Sequence, residues 1–381
     1  MKLLISGGGT GGHIYPAITI AKGFLQQVPG AEVLYVGTKA GLESAIAPRE
    51  GIPFRTIDVA GLFGKSPREI LTGAYRASRG FGQALGVIRS FRPAVVCGTG
   101  GYVCGPVVAA AWLMRVPSLI QEQNAIPGVT NKLLSRFART IALQFPGAAA
   151  HFPGRATAIV TGNPVRPEIL KANREGGASD LGLRPDKNTL LAFGGSRGAA
   201  ALNKAVCELV PVFASDPSKQ LIFATGQRYF GEVRSALDRI VGDWRDRENI
   251  LVRPYLHQVE QAYALADLAI TRAGGMTIAE LTALGVPSVI VPSPNVTHNH
   301  QYHNARALAE EGGCLLLPEE ELGSGRLRDV TLDLLEDHGA RQVMADRARQ
   351  FGHPDATGKI VELLTSLAGW GPSLEDRDGL D

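Results

Sequence analysis

Short apolar, β-branched runs alternate with longer stretches of helical period along the first part of the chain. Lys2–Ser6, Glu32–Val36, Phe54–Ile57, Ala94–Cys97 and Pro117–Ile120 read as strands. Strands separated in this way predict a parallel sheet with crossover helices. The pattern restarts near Thr189, with strands expected at Thr189–Phe193, Gln220–Ala224, Ile250–Val252, Leu268–Ile270 and Ser288–Val291. Each series opens on the same device, an apolar strand that runs into glycines and then a helix: Leu3-Leu4-Ile5-Ser6-Gly7-Gly8-Gly9 and Leu190-Leu191-Ala192-Phe193-Gly194-Gly195-Ser196. Two doubly wound domains joined near Gly162–Pro167 are the simplest topology. Ligands of such sheets bind at the carboxyl ends of the strands, which places the expected active site in the cleft between domains. Lys171–Asp186 is polar and Gly-rich and reads as a surface excursion, and the acidic tail after Gly369 reads as mobile.

Composition agrees with this plan and narrows the partners. The chain has 381 residues, roughly two and a half times the ~150 of one domain. Hydrophobic residues at 45% and charged residues at 20% are the balance of a chain that buries a sizeable core. Lys and Arg number 39 against 36 Asp and Glu, a net charge of +3, so no global field favours nucleic acid. Cys97, Cys104, Cys207 and Cys314 show no zinc spacing and are too few for a disulfide framework, which fits a reducing cytoplasm. The amino terminus is too short in apolar residues for a signal peptide, and glycines and Pro106 interrupt the uncharged run Pro93–Met114, so no transmembrane helix is expected. Glycine is the outlier, with 46 residues to place in particular loops.

Four of those loops stand between a strand and a helix: Gly7-Gly8-Gly9-Thr10-Gly11-Gly12-His13, Gly98-Thr99-Gly100-Gly101-Tyr102, Gly194-Gly195-Ser196-Arg197-Gly198-Ala199 and Arg272-Ala273-Gly274-Gly275-Met276-Thr277. Unpaired amides at a helix start hold anions, and four such loops on two sheets point to a diphosphate-bearing ligand. The first loop matches GxGxxG at Gly7, Gly9 and Gly12, but a dinucleotide site wants an acidic residue at the end of the second strand, where Val36-Gly37 stands. A Walker A loop fails because Val59 occupies the position five before Gly64 in Gly64-Lys65-Ser66. Glu280, five residues after Gly275, is placed to reach ribose hydroxyls or to be a solvated helix carboxylate. His13, at a helix start, suits general base work near neutrality or serves as a cap. The D-x-D triplet Asp376-Arg377-Asp378 lies in the tail, so cations beside a diphosphate must come from Arg and helix amino termini.

Taken in order, Gly9–His13, Gly98–Tyr102, Gln121-Glu122-Gln123-Asn124, Gly162-Asn163-Pro164-Val165-Arg166, Gly194–Ala199, and Gly275–Glu280 with His300-Gln301 resemble the MurG family of bacterial N-acetylglucosaminyltransferases, glycosyltransferase family 28. The resemblance runs from residue 1 to about 367. It implies an α/β GT-B fold, two Rossmann-like doubly wound domains facing an interdomain cleft. Residues 1–163 would form the acceptor and membrane-associating domain and 164–350 the UDP-GlcNAc domain. Residues 351–367 would form a helix packing back on the first domain, with 368–381 a mobile tail.

The implied reaction is inverting transfer of GlcNAc from UDP-GlcNAc to the muramyl C4 hydroxyl of undecaprenyl-linked lipid I, giving lipid II and UDP. By the same resemblance Arg166 and Ser196 contact the donor diphosphate, Gly275, Met276 and Thr277 line phosphate and sugar, Glu280 binds ribose and Leu256 meets uracil through its backbone. Asn124, His300 and Gln301 read the GlcNAc hydroxyls, with Thr10, Gly11 and Gly12 closing on them. Gly9, Gly100, Gly101 and Tyr102 form the acceptor diphosphate loops. His13 is the first candidate base and Glu122 the second. Some relatives carry Gln-Gln in place of His300-Gln301, and Pro294–Thr297 is longer than usual. His298 and His300, with His303 nearby, could be read as metal ligands, but an i, i+2 spacing does not place His298 and His300 on one helical face, so no metal is expected. No cofactor is expected to be tightly bound, and a divalent cation is left open without a D-x-D motif near the site.

A polyprenyl acceptor requires contact with a membrane. Arg68, Arg76 and Arg79 among Ile70, Leu71, Tyr75 and Phe81 read as an interfacial patch for an anionic membrane surface, to which family resemblance adds Trp112, or as ordinary core beneath a solvated Arg face. Expected localisation is peripheral, on the cytoplasmic face of the inner membrane, with room for cell-wall assembly proteins as partners and none for nucleic acid. The rival readings are a UDP-GlcNAc 2-epimerase, a glycolipid glycosyltransferase with another acceptor, and an inactive sugar-nucleotide-binding subunit.

Overall fold

Leu3, Leu4 and Ile5 are all fully buried, because helices cover both faces of a parallel sheet and remove the alternation of a half-exposed strand. They belong to β1 (Lys2–Ser6), the centre of a seven-stranded sheet with β2 (Glu32–Gly37), β3 (Phe54–Thr56), β4 (Val95–Gly98), β5 (Ser118–Glu122), β6 (Thr140–Leu143) and β7 (Thr157–Val160). The order is β3-β2-β1-β4-β5-β6-β7, so the chain reverses its direction of travel between β1 and β4. Ser6 pairs level with Gly98, and the loops after these two strands leave the sheet at the same height. The computed structural model describes residues 1–59, 67–154, 156–195 and 198–370, without the side chains of 67–75. Ser196 and Arg197, the side chains of Arg68, Ile70, Leu71 and Tyr75, and the Asp376-Arg377-Asp378 triplet therefore lie outside the described residues.

The second sheet repeats the design with β8 (Asn188–Phe193), β9 (Lys219–Ala224), β10 (Ile250–Arg253), β11 (Leu268–Thr271), β12 (Ser288–Ile290) and β13 (Leu315–Leu316). Its order is β10-β9-β8-β11-β12-β13, with the reversal between β8 and β11, where Phe193 pairs level with Thr271. The chain divides into Met1–Pro164 with Asp355–Asp381, and Val165–Pro354. Helix Ala356–Leu367 belongs to the first unit, where Ile360, Val361 and Leu364 join the core beside Ile14, Ile18 and Phe24 of helix Gly11–Gln27. Gly23 admits this approach: a Cβ there would stand 2.5 Å from Thr357 Cγ2.

Two sequence expectations change. Lys171–Asp186 is not a surface excursion, because it contains helix Arg174–Leu181, packed on helix Val259–Leu265. The Asn173 side chain accepts from Gly176 N at 2.9 Å, Gly182 ends the helix at φ 68°, and Ala178 and Leu183 enter the core. The pattern also missed β6, β7 and β13. β7 lies at the sheet edge and is largely exposed, and β13 has only two residues, so neither writes an apolar run into the sequence.

Candidate functional site

In the first unit the glycine loops after β1 and β4 interlock at the reversal point, where open α/β sheets bind ligands. Gly8 N donates to Gly100 O at 3.3 Å. A Cβ on Gly101 would lie 2.1 Å from Gly8 O, and one on Gly100 would lie 2.9 Å from His13 Cδ2. Gly100 and Gly101 also hold φ at 105° and 83°, which disfavours any other residue. Gly9 has φ 87° and faces the Tyr102 ring, so the residues expected at the acceptor diphosphate are gathered on these two loops.

His13 stands in the first turn of helix Gly11–Gln27. Its Nδ1 lies 3.1 Å from Gly8 O and 3.5 Å from Thr10 Oγ1. A carbonyl oxygen only accepts, so Nδ1 carries the proton and the neutral ring has its lone pair on Nε2. The backbone below is pinned by Thr99 Oγ1, which donates to His13 O at 2.7 Å. Thr10, Gly11 and Gly12 form the start of this helix, with Gly12 and Thr10 exposed.

Glu122, at the end of β5, is 1% exposed. Its Oε1 accepts from Asn124 N at 3.0 Å and Asn124 Nδ2 at 3.2 Å, and its Oε2 from Gly128 N at 3.1 Å and Asn131 Nδ2 at 2.9 Å. With four donors on its oxygens, this carboxylate frames the loop that presents Asn124. Behind it, Gln121 Nε2 donates to Asn163 Oδ1 at 2.6 Å, and Gln123 Nε2 to Thr99 O at 2.7 Å. The amides tie the β5 end to the glycine loop after β4.

A second buried carboxylate went unread in the sequence. Glu43, 0% exposed, accepts at Oε1 from Thr38 N at 3.0 Å and Thr38 Oγ1 at 2.8 Å, and at Oε2 from Gly9 N at 3.5 Å. Gly8, Gly37 and Gly41 surround it, and a Cβ on any of them would come within 2.9 Å of its side chain. The spacing Gly37-x3-Gly41-x-Glu43 was its only sequence signal.

In the second unit the loops after β8 and β11 flank the corresponding reversal. Gly198, at φ 72°, has no room for a Cβ, which would lie 2.3 Å from Thr225 O. Helix Gly275–Leu284 starts with Gly275, Met276 and Thr277, whose first-turn amides lack helical acceptors. Glu280 follows one turn later, 13% exposed, with Oε1 3.8 Å from Arg166 Nη2 and Oε2 accepting from Tyr263 Oη at 2.9 Å. Burial pushes its carboxyl above the usual value, against the pull of Arg166 and Tyr263. The same burial, with the Glu280 charge, holds the Tyr263 phenol well above its ordinary range. Glu280 is therefore an anchored carboxylate rather than a solvated one.

The remaining expected donor residues sit on separate loops of this unit. Leu256, half-buried after β10, packs its side chain on the core. Gln301 Oε1 accepts from Ser293 N at 2.8 Å, and His300 Nδ1 lies 2.9 Å from Thr297 O, at the start of helix His300–Glu310. His298 and Asn299 before it are both left-handed, at φ 55° and 49°. Among the described residues no group of three or more His, Cys, Asp or Glu is arranged to hold a metal ion. Sequence reasoning also passed over Arg272, 9% exposed, which donates to Val291 O and Pro292 O at 3.1 Å and pairs with Glu319.

Of the expected membrane patch, Arg76 is exposed, Phe81 is half-buried, and Arg79 is exposed and paired with Asp58 at 3.4 Å. Trp112 is 55% exposed, and its ring meets Phe137 at 5.2 Å. Leu113, Val129 and Leu133, on the adjoining helices Cys104–Leu113 and Val129–Leu134, are exposed with it. Among the described residues no helix is long and apolar enough to cross a membrane.

Residues 3–143 match the family model of the glycosyltransferase family 28 N-terminal domain and residues 189–360 that of its C-terminal domain. A protein of Desulforudis audaxviator named UDP-N-acetylglucosamine--N-acetylmuramyl-(pentapeptide) pyrophosphoryl-undecaprenol N-acetylglucosamine transferase is 47% identical, over 97% of this chain and all of its own length. A relative of the same name from Desulforamulus reducens is 42% identical, over 96% of this chain and 99% of its own. The crystal structure of Acinetobacter baumannii MurG superposes with TM-score 0.74 at 28% identity, covering 96% of this chain and 99% of that one. A UDP-GlcNAc 2-epimerase from Neisseria meningitidis shares the fold, with TM-score 0.69 at 15% identity and coverage of 96% and 99%.

Proposed function

Because the chain belongs to glycosyltransferase family 28, we propose that it transfers N-acetylglucosamine from UDP-N-acetylglucosamine to N-acetylmuramyl-(pentapeptide) pyrophosphoryl-undecaprenol, the reaction named for its full-length relatives. The acceptor's muramyl C4 hydroxyl loses its proton to His13 Nε2 as its oxygen bonds to the anomeric carbon. The bond from that carbon to the diphosphate oxygen breaks with inversion, and its electron pair leaves on UDP. The observation that supports this most is the 3.1 Å approach of His13 Nδ1 to Gly8 O beside the β1–β4 reversal, from which the Nδ1–H tautomer follows. An imidazole held with Nε2 basic suits proton abstraction near neutral pH.

The second unit serves the donor. The amino terminus of helix Gly275–Leu284 and the Arg166 guanidinium meet the charge growing on the leaving diphosphate, so the transfer needs no tightly bound cofactor. Glu280, steadied by Tyr263, accepts from ribose hydroxyls. His300 and Gln301 read the sugar, and in the first unit the loops carrying Gly9, Gly100, Gly101 and Tyr102 receive the acceptor's diphosphate.

A lipid acceptor supports peripheral action at a membrane, which we read as the cytoplasmic face of the inner membrane. Exposed Trp112, Leu113, Val129 and Leu133 stand among Arg115, Lys132 and Arg136, an apolar surface with basic neighbours of the kind that binds anionic lipid. UDP release from UDP-GlcNAc, with and without a lipid I analogue, tests the activity. Acceptor-dependent release with a new β1,4-linked GlcNAc is expected. Epimerisation without acceptor, or binding without turnover, would overturn the reading.

A further inference from the structure

A carboxylate buried without a cation needs a structural or chemical reason, because desolvating the charge is costly unless donors replace water. Glu43 is such a group. It is fully buried at the start of helix Glu43–Arg49, and among the described residues no Lys, Arg or His forms an ion pair with it. Thr38 satisfies one oxygen through N–H and O–H. The other oxygen faces Gly9 N at 3.5 Å. That amide belongs to the same peptide unit as Gly8 O, the acceptor of His13 Nδ1 at 3.1 Å. One peptide group therefore stands between a carboxylate and an imidazole, with its N–H directed at Glu43 and its C=O at His13.

We propose that Glu43 is a positioning residue for His13 and acts through the Gly8–Gly9 peptide. A carboxylate that accepts the peptide N–H polarises the amide and makes its carbonyl a stronger acceptor, as hydrogen bonds in series reinforce one another. The stronger acceptor holds the proton on Nδ1, keeps Nε2 as the basic atom and stabilises the imidazolium formed during proton abstraction. The glycines are part of the device: side chains at Gly8, Gly37 or Gly41 would overlap Glu43 and push the carboxylate off the loop. Among the described residues other titratable groups also face this loop, Tyr15 against Gly11 among them. Tyr35 Oη donates to Gly7 O at 2.6 Å, Cys104 Sγ lies 3.0 Å from Gly100 O, and Tyr102 stands against Gly9. Burial holds the Tyr35 phenol well above its usual value and the Cys104 thiol up at about 11, so both are neutral where a histidine titrates.

The catalytic consequence rests on His13 being the base, and the test separates the two claims. In Glu43→Gln, ring ¹⁵N and ¹³C shifts of His13 should show a midpoint at least about half a pH unit below that of the unaltered protein. The acid limb of the kcat profile should move down with it. Removing a carboxylate bonded directly to a catalytic histidine costs about 10⁴ in kcat, and with a peptide interposed we expect roughly tenfold, with KM for UDP-GlcNAc changed less than about twofold. A folded Glu43→Gln protein with an unmoved His13 midpoint overturns the relay. Should that variant not fold, the unaltered protein decides: the Gly9 amide shift must titrate with the His13 midpoint, and a Gly9 signal indifferent to it overturns the proposal. Turnover retained in His13→Ala would sink the base assignment, whereas the ring titration judges the relay independently.

Discussion

Substituting Gly101 by Ala should damage the site through a single methyl group. Gly101 holds φ at 83°, and the added Cβ would lie 2.1 Å from Gly8 O and 3.0 Å from Gly8 C. The left-handed backbone costs an alanine about 1–3 kcal/mol, and relieving the overlap brings the total to about 2–4 kcal/mol. Relief requires Gly8 O to move by about an ångström, and Gly8 O is the acceptor that orients His13. A displacement of that size at a reacting group costs roughly 10²-fold in turnover. Gly105→Ala is the matched control, because Gly105 lies in helix Cys104–Leu113 with nothing within 4 Å of the added Cβ. There alanine should stabilise by about 0.5–1 kcal/mol. Urea denaturation and acceptor-dependent UDP release read both variants. If Gly101→Ala stays within about twofold of Gly105→Ala in turnover and within about 1 kcal/mol in stability, the interlocked-loop reasoning is wrong.

Glu122→Gln places an amide where four donors converge, so it should lower stability by about 1–3 kcal/mol yet leave the acid limb of the rate profile in place. Loss of that limb here, with its retention in His13→Ala, would reverse the two roles. Glu280, whose carboxyl is raised by burial, binds its proton more tightly folded than unfolded, so its contribution to stability is lost as pH rises from about 4.5 through the folded value. Glu280→Gln should remove that slope from denaturation curves and raise KM for UDP-GlcNAc. Tyr263→Phe, which deletes a donor to the charged form, should push the Glu280 midpoint higher still by ¹³C NMR. Trp112→Ser with Leu133→Ser should weaken binding to anionic vesicles by roughly tenfold or more without changing turnover on a water-soluble acceptor.

The parts of this molecule that were legible in the sequence are those where local chemistry decides. A buried parallel strand must be continuously apolar and a reversal loop must be small, so β1 and β8 with their glycines announced both sheets and both sites. Lys171–Asp186 misled because its glycines suggest a loop, whereas Gly177 lies against the Gln261 backbone and needs its lack of a side chain for packing. In Gln121-Glu122-Gln123-Asn124 the resemblance marked Asn124 for the sugar and Glu122 as second candidate base, with no role for the two glutamines. Gln121, Glu122 and Gln123 are instead buried and bonded to one another's loops, with partners at Asn131, Thr99 and Asn163 that no local pattern links. Glu43 was hidden for the same reason: its meaning depends on Gly9, thirty-four residues away.

The two sheets share a backbone plan but differ in how the carboxylates near their strand ends are compensated. In the second unit, Glu280 meets Arg166 and Glu319 meets Arg272. In the first, Glu43 and Glu122 meet backbone amides, side-chain amides and a hydroxyl, and among the described residues no guanidinium or ammonium. Neutral donors stabilise a carboxylate without cancelling its field. The first unit therefore keeps negative potential behind the loops that carry His13, which favours an imidazole gaining a proton. Near the helix that starts at Gly275, paired carboxylates leave the amino-terminal amides and Arg166 able to meet an anion without strong repulsion. One scaffold thus supports opposite electrostatic tasks, and the sign at each site is set by side chains beneath the glycine loops. Exchanging that buttress should have opposite effects: neutralising Glu43 should weaken the base, whereas neutralising Arg166 should weaken donor binding and leave the His13 midpoint where it was.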